Sequence, residues 1–283
     1  MKTKNIILWA AALAVIFGLL ICGIAYAIGF RTAERGETQT VAFPAEDVSR
    51  LNIFAEADDI VLRTADTDRI TVTYTDFSNL SHSANLSGGT LTVDGRLTAK
   101  KHWYEYIHIG FTDFDRSQKI LVELPRAFAA DAIVDCRYGD IDVIGLNGTL
   151  TLDSACGDVT LRSGEYRSLD VRQAYGDVEL AALRAESLRI DNQCGDVELE
   201  DCVLGTANIH NSLGDIDLDD CAADDLQIDN SCGDIECTLF GNETEYTITA
   251  HTALGDCNAP NRSGGSKTLT LETALGDIDV KFR

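Results

Sequence analysis

Apolar and polar residues alternate along most of the chain beyond residue 45, with the two-residue period of strands whose successive side chains point to opposite sides of a sheet. The stretch from Arg69 to Tyr74, for example, reads Arg-Ile-Thr-Val-Thr-Tyr. Residues 131–283 contain no apolar pattern of helical period and helical length. The pattern therefore predicts an all-β protein.

A Gly-Asp motif followed by a mostly branched apolar residue recurs eight times in residues 131–283, at spacings of 18, 19, 19, 19, 19, 22 and 21. Two short strands cannot bury their own apolar face, whereas stacked copies can share a continuous core. The spacing therefore predicts a parallel β-solenoid with about 19 residues per repeat.

The recurring motif is interpreted as a structural corner of each repeat. Glycine adopts backbone angles that other residues avoid, and aspartate accepts hydrogen bonds from nearby backbone N–H groups. The corners are Gly139-Asp140, Gly157-Asp158, Gly176-Asp177, Gly195-Asp196, Gly214-Asp215, Gly233-Asp234, Gly255-Asp256 and Gly276-Asp277.

Aligning the copies on the glycine, in sequence order, gives columns of similar residues. The columns five residues before it and four residues after it are apolar and are expected to face the core. The residue just before the glycine is Tyr, Cys or Leu, which predicts that this column, with its three cysteines, also faces inward. Three residues before the glycine, Asn192, Asn211 and Asn230 predict an asparagine ladder bonded along the stack.

Residues 45–130 read as weaker strands of the same kind, which are expected to begin the stack and to cap its first edge. Within them, residues 98–119 break the alternation and concentrate aromatic residues such as Trp103 and Phe111 beside basic ones. A hairpin or loop packed on the first repeats is one interpretation of this stretch. An aromatic binding patch is the other.

The first 30 residues differ from the rest of the chain. No charged residue occurs from Ile6 to Phe30, and about 20 apolar residues suffice to span a bilayer. Because Lys2 and Lys4 precede this run, we expect one transmembrane helix in residues 1–30 with a cytoplasmic N-terminus, a linker at residues 31–44 and an extracytoplasmic C-terminal domain. The alternative is a secreted protein released by signal-peptide cleavage after Ala27.

The chain is strongly acidic, with 46 Asp and Glu against 23 Lys and Arg and a net charge of −23. Such a surface repels phosphate backbones, so nucleic acid is excluded as a partner. Cations, basic peptides and cationic envelope components fit this charge, and solubility alone is the competing explanation.

Candidate cation ligands lie three residues after the glycine, where four successive repeats carry acidic side chains. Close like charges repel, and either a bound Ca²⁺ or Mg²⁺ or solvent and salt would relieve that repulsion. No cofactor is predicted. The four residues are Glu179, Glu198, Asp217 and Glu236.

Nine cysteines occur, of which Cys202 and Cys221 share a column on adjacent repeats and lie within reach of a disulfide. Most of the others fit best as small buried hydrophobic residues. The sequence contains no C-x-x-C, G-x-S-x-G or H-E-x-x-H motif and no Gly-rich phosphate loop. These absences argue against a zinc site and against an enzyme.

Three features together resemble a known family: the segment from Asp47 to Tyr74, the segment from Lys119 to Pro125, and the eight Gly-Asp repeats. They are similar to the bacterial "putative adhesin" family of β-strand repeat proteins, whose function is unknown. The resemblance implies an exported, membrane-anchored β-solenoid of the cell envelope, sometimes associated with envelope-stress operons. It implies no catalytic residue.

The function expected from these observations is a non-catalytic, adhesin-like binding or structural module of the cell envelope. Its partner would be the cell wall, a peptide or a membrane protein. The alternative is an envelope-stress sensor or regulator acting through a membrane partner, and a glycan-active enzyme is the third hypothesis.

Overall fold

The computed structural model describes residues 36–77, 79–98 and 118–283, and these ranges are all-β, as the alternation predicts. They contain two short 3₁₀ turns, Ala45–Asp47 and Glu243–Glu245. No helix within them is long and apolar enough to cross a membrane. The predicted transmembrane helix, and nearly all of the aromatic stretch at residues 98–119, lie outside the described residues.

The described residues contain nineteen strands. They are β1 (Glu37–Pro44), β2 (Arg50–Ala55), β3 (Asp59–Ala65), β4 (Arg69–Asp76), β5 (Leu80–Ser87), β6 (Thr90–Leu97), β7 (Lys119–Pro125), β8 (Ala129–Cys136), β9 (Ile141–Ile144), β10 (Asn147–Cys156), β11 (Val159–Tyr175), β12 (Val178–Asn192), β13 (Val197–Glu200), β14 (Val203–Asn211), β15 (Ile216–Cys232), β16 (Ile235–Leu239), β17 (Tyr246–Leu254), β18 (Lys267–Leu275) and β19 (Ile278–Phe282).

Each repeat contributes one strand segment to each of two faces, and the equivalent segments of neighbouring repeats pair in parallel. On the first face Ile190 pairs with Ile209, and Ile209 pairs with Ile228. On the second face Glu179 pairs with Glu198. These partners are 19 residues apart, so the sequence columns of the central repeats are also the hydrogen-bonded columns of the sheet. We call one such pair of segments a rung.

Strands β11, β12 and β15 are long because they bend from one face to the other. The first face runs β5-β6-β2-β8-β10-β11-β12-β14-β15-β18-β17, and the second runs β1-β4-β7-β3-β9-β11-β12-β13-β15-β16-β19. The N-terminal strands extend this stack. Strands β2 and β3 pair in parallel with β8 and β9, whereas β1, β4 and β5 add antiparallel pairs.

The core lies between the two faces, where branched apolar side chains stack rung on rung. The column five residues before the glycine is buried throughout, as the alternation predicts. Leu161, Leu180, Leu199 and Leu218 continue the core on the second face. Because each rung buries its apolar side chains against the rungs above and below it, the core is continuous along the stack.

The last rungs do not stack in sequence order, which corrects the alignment made from the sequence. Strand β18 pairs with β15 on one side and with β17 on the other, so Ile228 lies beside Leu271 and not beside Ala250. The longer spacings of 22 and 21 residues provide the extra chain that this exchange requires. The edge of β17 is covered by its own loop, since the backbone of Ile248 exchanges two 2.9 Å hydrogen bonds with Arg262.

Each rung of the central stack also has a second corner, six residues after the glycine, which no fixed residue type marks in the sequence. Its residue adopts a positive φ of 50° to 74°, the left-handed region that most side chains disfavour. This corner was not predicted because the position varies between repeats. Its residues are Gly145, Ser163, Ala182, Asp201 and Asp220.

The exposed alanine at the second corner provides a test of this backbone assignment. Ala182 has φ 53°, so replacing it with glycine should relieve strain and raise the free energy of unfolding by about 0.5–1 kcal/mol. Its neighbour Ala181 has no positive φ, so Ala181→Gly should lower that free energy by about 0.5–1 kcal/mol. Equal effects of the two substitutions in urea unfolding would contradict the corner.

Candidate binding surface

The Gly-Asp corner is built by backbone geometry that only glycine meets easily. All eight glycines have φ between 127° and 157°, and a Cβ on any of them would overlap a carbonyl oxygen of the adjoining rung. The aspartates form a continuous ladder, because each backbone N–H of the column donates to the Oδ1 atom of the neighbouring aspartate at 2.7–3.0 Å. One carboxylate oxygen of every corner aspartate except Asp256, the last in the stack, therefore holds the neighbouring rung, and the side chains remain exposed.

The buried polar column three residues before the glycine supports the same corner. Asn192 and Asn211 both donate through Nδ2 to the Gly195 carbonyl, at 3.0 and 3.1 Å, and Asn230 donates to the Gly214 carbonyl at 2.9 Å. The Oδ1 atoms of these asparagines have no partner within the described residues. The column therefore bonds to glycine carbonyls, where the sequence had predicted bonds from one asparagine to the next.

The column just before the glycine faces solvent, so the prediction that it faces inward is wrong. Tyr138 and Tyr175 are each 61% exposed, while the cysteines of the column, such as Cys194, are partly buried. The physical reason is that the column three residues before the glycine is buried, and most of its polar side chains, such as Gln173, Asn192 and Thr273, donate to a glycine carbonyl. We call this column the apolar ridge. In order along the stack it contains Tyr138, Cys156, Tyr175, Cys194, Leu213, Cys232, Leu275 and Leu254.

The four candidate cation ligands form a straight row on the second face, in direct register from Glu179 through Glu198 and Asp217 to Glu236. Partial burial and the neighbouring carboxylates of Glu179 and Asp217 raise the pKa of Glu198. Across the described residues, no three His, Cys, Asp or Glu side chains converge closely enough to hold a metal ion. The row therefore gathers negative charge without forming a ligand shell.

Cys202 and Cys221 lie on adjacent rungs, as their shared column predicts, and both are buried free thiols. Their sulfur atoms donate to backbone carbonyls, Cys202 to Glu200 at 3.3 Å and Cys221 to Asp219 at 3.4 Å. The hydrogen bond with Cys202 and burial raise the pKa of the Cys221 thiol, and burial raises that of Cys237. The Cys221 and Cys237 thiols are therefore protonated at neutral pH and pack as small apolar side chains.

A buried ion cluster near the N-terminal end of the stack was not predicted from the sequence. The ring of His82 has no solvent exposure, and it lies between Asp76, 2.9 Å from Nδ1, and Asp58, 3.1 Å from Nε2. Burial by itself lowers the pKa of His82. The hydrogen bonds to Asp58 and Asp76 raise it by more than burial lowers it, so the net shift is upward. No motif marks the three residues, which come from separate parts of the chain.

These features define an all-β protein of stacked parallel rungs, in which the Gly-Asp corner has the same backbone geometry in each repeat. Outward side chains recur in columns, and the described ranges contain no convergent metal-binding cluster. The family model described as Toastrack DUF4097 matches residues 48–281, and the chain belongs to this family. A search of curated proteins finds no match.

Solved structures of three bacterial proteins are similar to this chain. A "putative adhesin" from Bacteroides fragilis has 14% identity and a TM-score of 0.46, covering 86% of this chain and 97% of its own. A "putative adhesin" from Parabacteroides merdae has 10% identity and a TM-score of 0.42, covering 89% and 98%. A "putative cell adhesion protein" from Clostridium sporogenes has 9% identity and a TM-score of 0.29, covering 88% and 100%. All three TM-scores are below 0.5, so the family assignment rests on the family model.

Proposed function

We propose that this chain is a non-catalytic binding module of the bacterial cell envelope, in which the stacked rungs act as a β-solenoid that presents long faces to its partner. The observation that carries the proposal is the in-register repetition of outward side chains, such as Glu179, Glu198 and Asp217. Rungs are about 4.8 Å apart, so one chemical group recurs at short intervals along the stack. Such a surface suits an extended or repetitive partner better than a small molecule.

The proposal includes an extracytoplasmic location. It is supported by the uncharged run from Ile6 to Phe30, which is long enough to span a bilayer, and by the lysines that precede it. In this arrangement the rungs are held at the outer side of the cell membrane by a single-pass anchor.

The test is co-sedimentation of the purified full chain, kept in detergent, with isolated bacterial cell walls that have been freed of membrane. We expect the wild type to sediment with them, and a chain whose residues 1–35 are replaced by an unrelated anchor to do so equally. Binding that follows residues 1–35 would contradict the proposal, because it would assign the activity to the anchor. New reducing ends after incubation with wall polysaccharide would also contradict it, since a binding module cleaves no bond.

A further inference from the structure

We propose that the apolar ridge is the docking surface for a cationic segment of another polypeptide, one that carries apolar side chains beside its lysines or arginines. This inference rests on the proposed binding function and assigns it a surface and a class of partner. It comes from the position of the ridge, its exposure and the charges on both of its sides.

The ridge is one continuous column, because the carbonyl of every member from Cys156 onward accepts a hydrogen bond from the glycine N–H of the adjoining rung. The carbonyl of Tyr175 accepts from Gly157, that of Leu213 accepts from Gly195 at 2.9 Å, and that of Leu275 accepts from Gly233 at 2.8 Å. Eight members separated by about 4.8 Å extend for roughly 34 Å. This length fits a peptide segment rather than a single side chain.

The ridge is also the main exception to the polar outer surface of the stack. Of the ten large apolar side chains that are exposed in the described residues, five belong to it. Isolated exposed apolar residues are common, whereas contiguous ones mark interaction surfaces. The five are Tyr138 (61% exposed), Tyr175 (61%), Leu213 (54%), Leu275 (47%) and Leu254 (69%).

Carboxylates lie on both sides of the ridge, which indicates the charge of the partner. On one side runs the ladder of exposed corner aspartates. On the other side, four residues before the glycine, runs a mixed column in which Asp153 and Glu272 are exposed. In the same column Asp191 pairs with Arg189 at 3.0 Å, and Asp229 lies 3.6 Å from His210. An arginine in that column, Arg172, is already paired with Asp170 at 2.8 Å. A cationic partner would therefore match the ridge in both polarity and charge. A second copy would not, because each chain carries a net charge of −23.

The probe is a synthetic dodecapeptide of alternating Lys and Val, titrated against the purified full chain at low salt. Two reference peptides separate the contributions: alternating Lys and Ser keeps the charge, and alternating Glu and Val keeps the apolar side chains. We expect Lys-Val to bind at least about tenfold more tightly than Lys-Ser, since buried apolar side chains add to charge attraction. Glu-Val should not bind, because the flanking carboxylates repel it.

The ridge variant is Tyr175→Ser with Leu213→Ser, and its matched control is Val203→Ser, an exposed apolar residue outside the ridge. The ridge variant should lose about tenfold in Lys-Val affinity, down to the Lys-Ser level, and the control should bind as the wild type does. The free energy of unfolding of the ridge variant should stay within about 1 kcal/mol of the wild-type value, because both replaced side chains are exposed.

Unchanged Lys-Val binding by the ridge variant would overturn the inference. Tighter binding of Glu-Val, or self-association of the wild type that the ridge variant abolishes, would overturn it as well. The co-sedimentation test separates this inference from the proposed function. If the ridge variant still sediments with the membrane-free cell walls as the wild type does, the ridge assignment fails and the binding function stands. If the wild type does not sediment, the function itself fails.

Discussion

Replacing Gly195 with valine should unfold the stack, lowering the free energy of unfolding by more than about 4 kcal/mol. The residue has φ 135°, and a Cβ there would overlap the carbonyl oxygen of Gly176 and lie 2.8 Å from the Asp177 side chain. Relief would require the rungs of Gly176 and Gly195 to separate, which breaks the hydrogen bonds between them. Equilibrium unfolding in urea, followed by far-ultraviolet circular dichroism, measures the loss.

The matched control for this prediction is Gly264→Ala. Gly264 also has a positive φ, 107°, but a Cβ on it would meet no atom within 4 Å. The Gly264→Ala substitution should lower the free energy of unfolding by only about 1 kcal/mol, which is the strain of the backbone angle alone. A Gly195→Val chain with a cooperative transition close to that of the wild type would show that the corners are not packed rung on rung.

Replacing His82 with glutamine should lower the free energy of unfolding by about 3 kcal/mol, because the substitution leaves the buried carboxylate of Asp58 without its positive partner. The matched control is His210→Gln. That ring is exposed and lies 3.6 Å from Asp229, so its loss should change the free energy of unfolding by less than about 0.5 kcal/mol. Urea unfolding of the two variants at pH 6 compares them directly.

The pH dependence of the His82 effect has a definite sign. The pKa of His82 is raised in the folded protein above its ordinary value of 6.5. The histidine therefore stabilises the fold fully below pH 6.5, and this contribution is lost as the pH rises through the folded pKa, at up to about 1.4 kcal/mol per pH unit. The difference between the wild type and His82→Gln should shrink above pH 6.5. A difference that grows with pH would mean that the ring is neutral in the folded state.

The all-β class and the core columns could be predicted because each depends on a local rule that recurs in every copy. A period of two determines which side chains can share a face, and repetition aligns them, so Ile190, Ile209 and Ile228 could be placed in one buried column. Backbone angles at the Gly-Asp corner follow from the same repetition, since few other residues tolerate them.

The features that could not be predicted depend on contacts between distant residues or on the detailed path of a corner. The sequence around Tyr175 does not show whether its side chain faces the core or solvent, because that depends on which side chain fills the space beside the glycine. The exchange of the last two rungs depends on whether β17 or β18 pairs with β15, and both strands have the same alternating pattern. The cluster of Asp58, Asp76 and His82 depends on the packing of the N-terminal strands.

The most direct test of the central claim is a methyl nuclear Overhauser experiment on the full chain labelled at Ile, Leu and Ala methyl groups. The stacked rungs predict cross-peaks from Ile209 to both Ile190 and Ile228, and from Ile228 to Leu271. Cross-peaks from Ile228 to Ala250 in place of Leu271, or none between Ile209 and the two isoleucines, would contradict the arrangement.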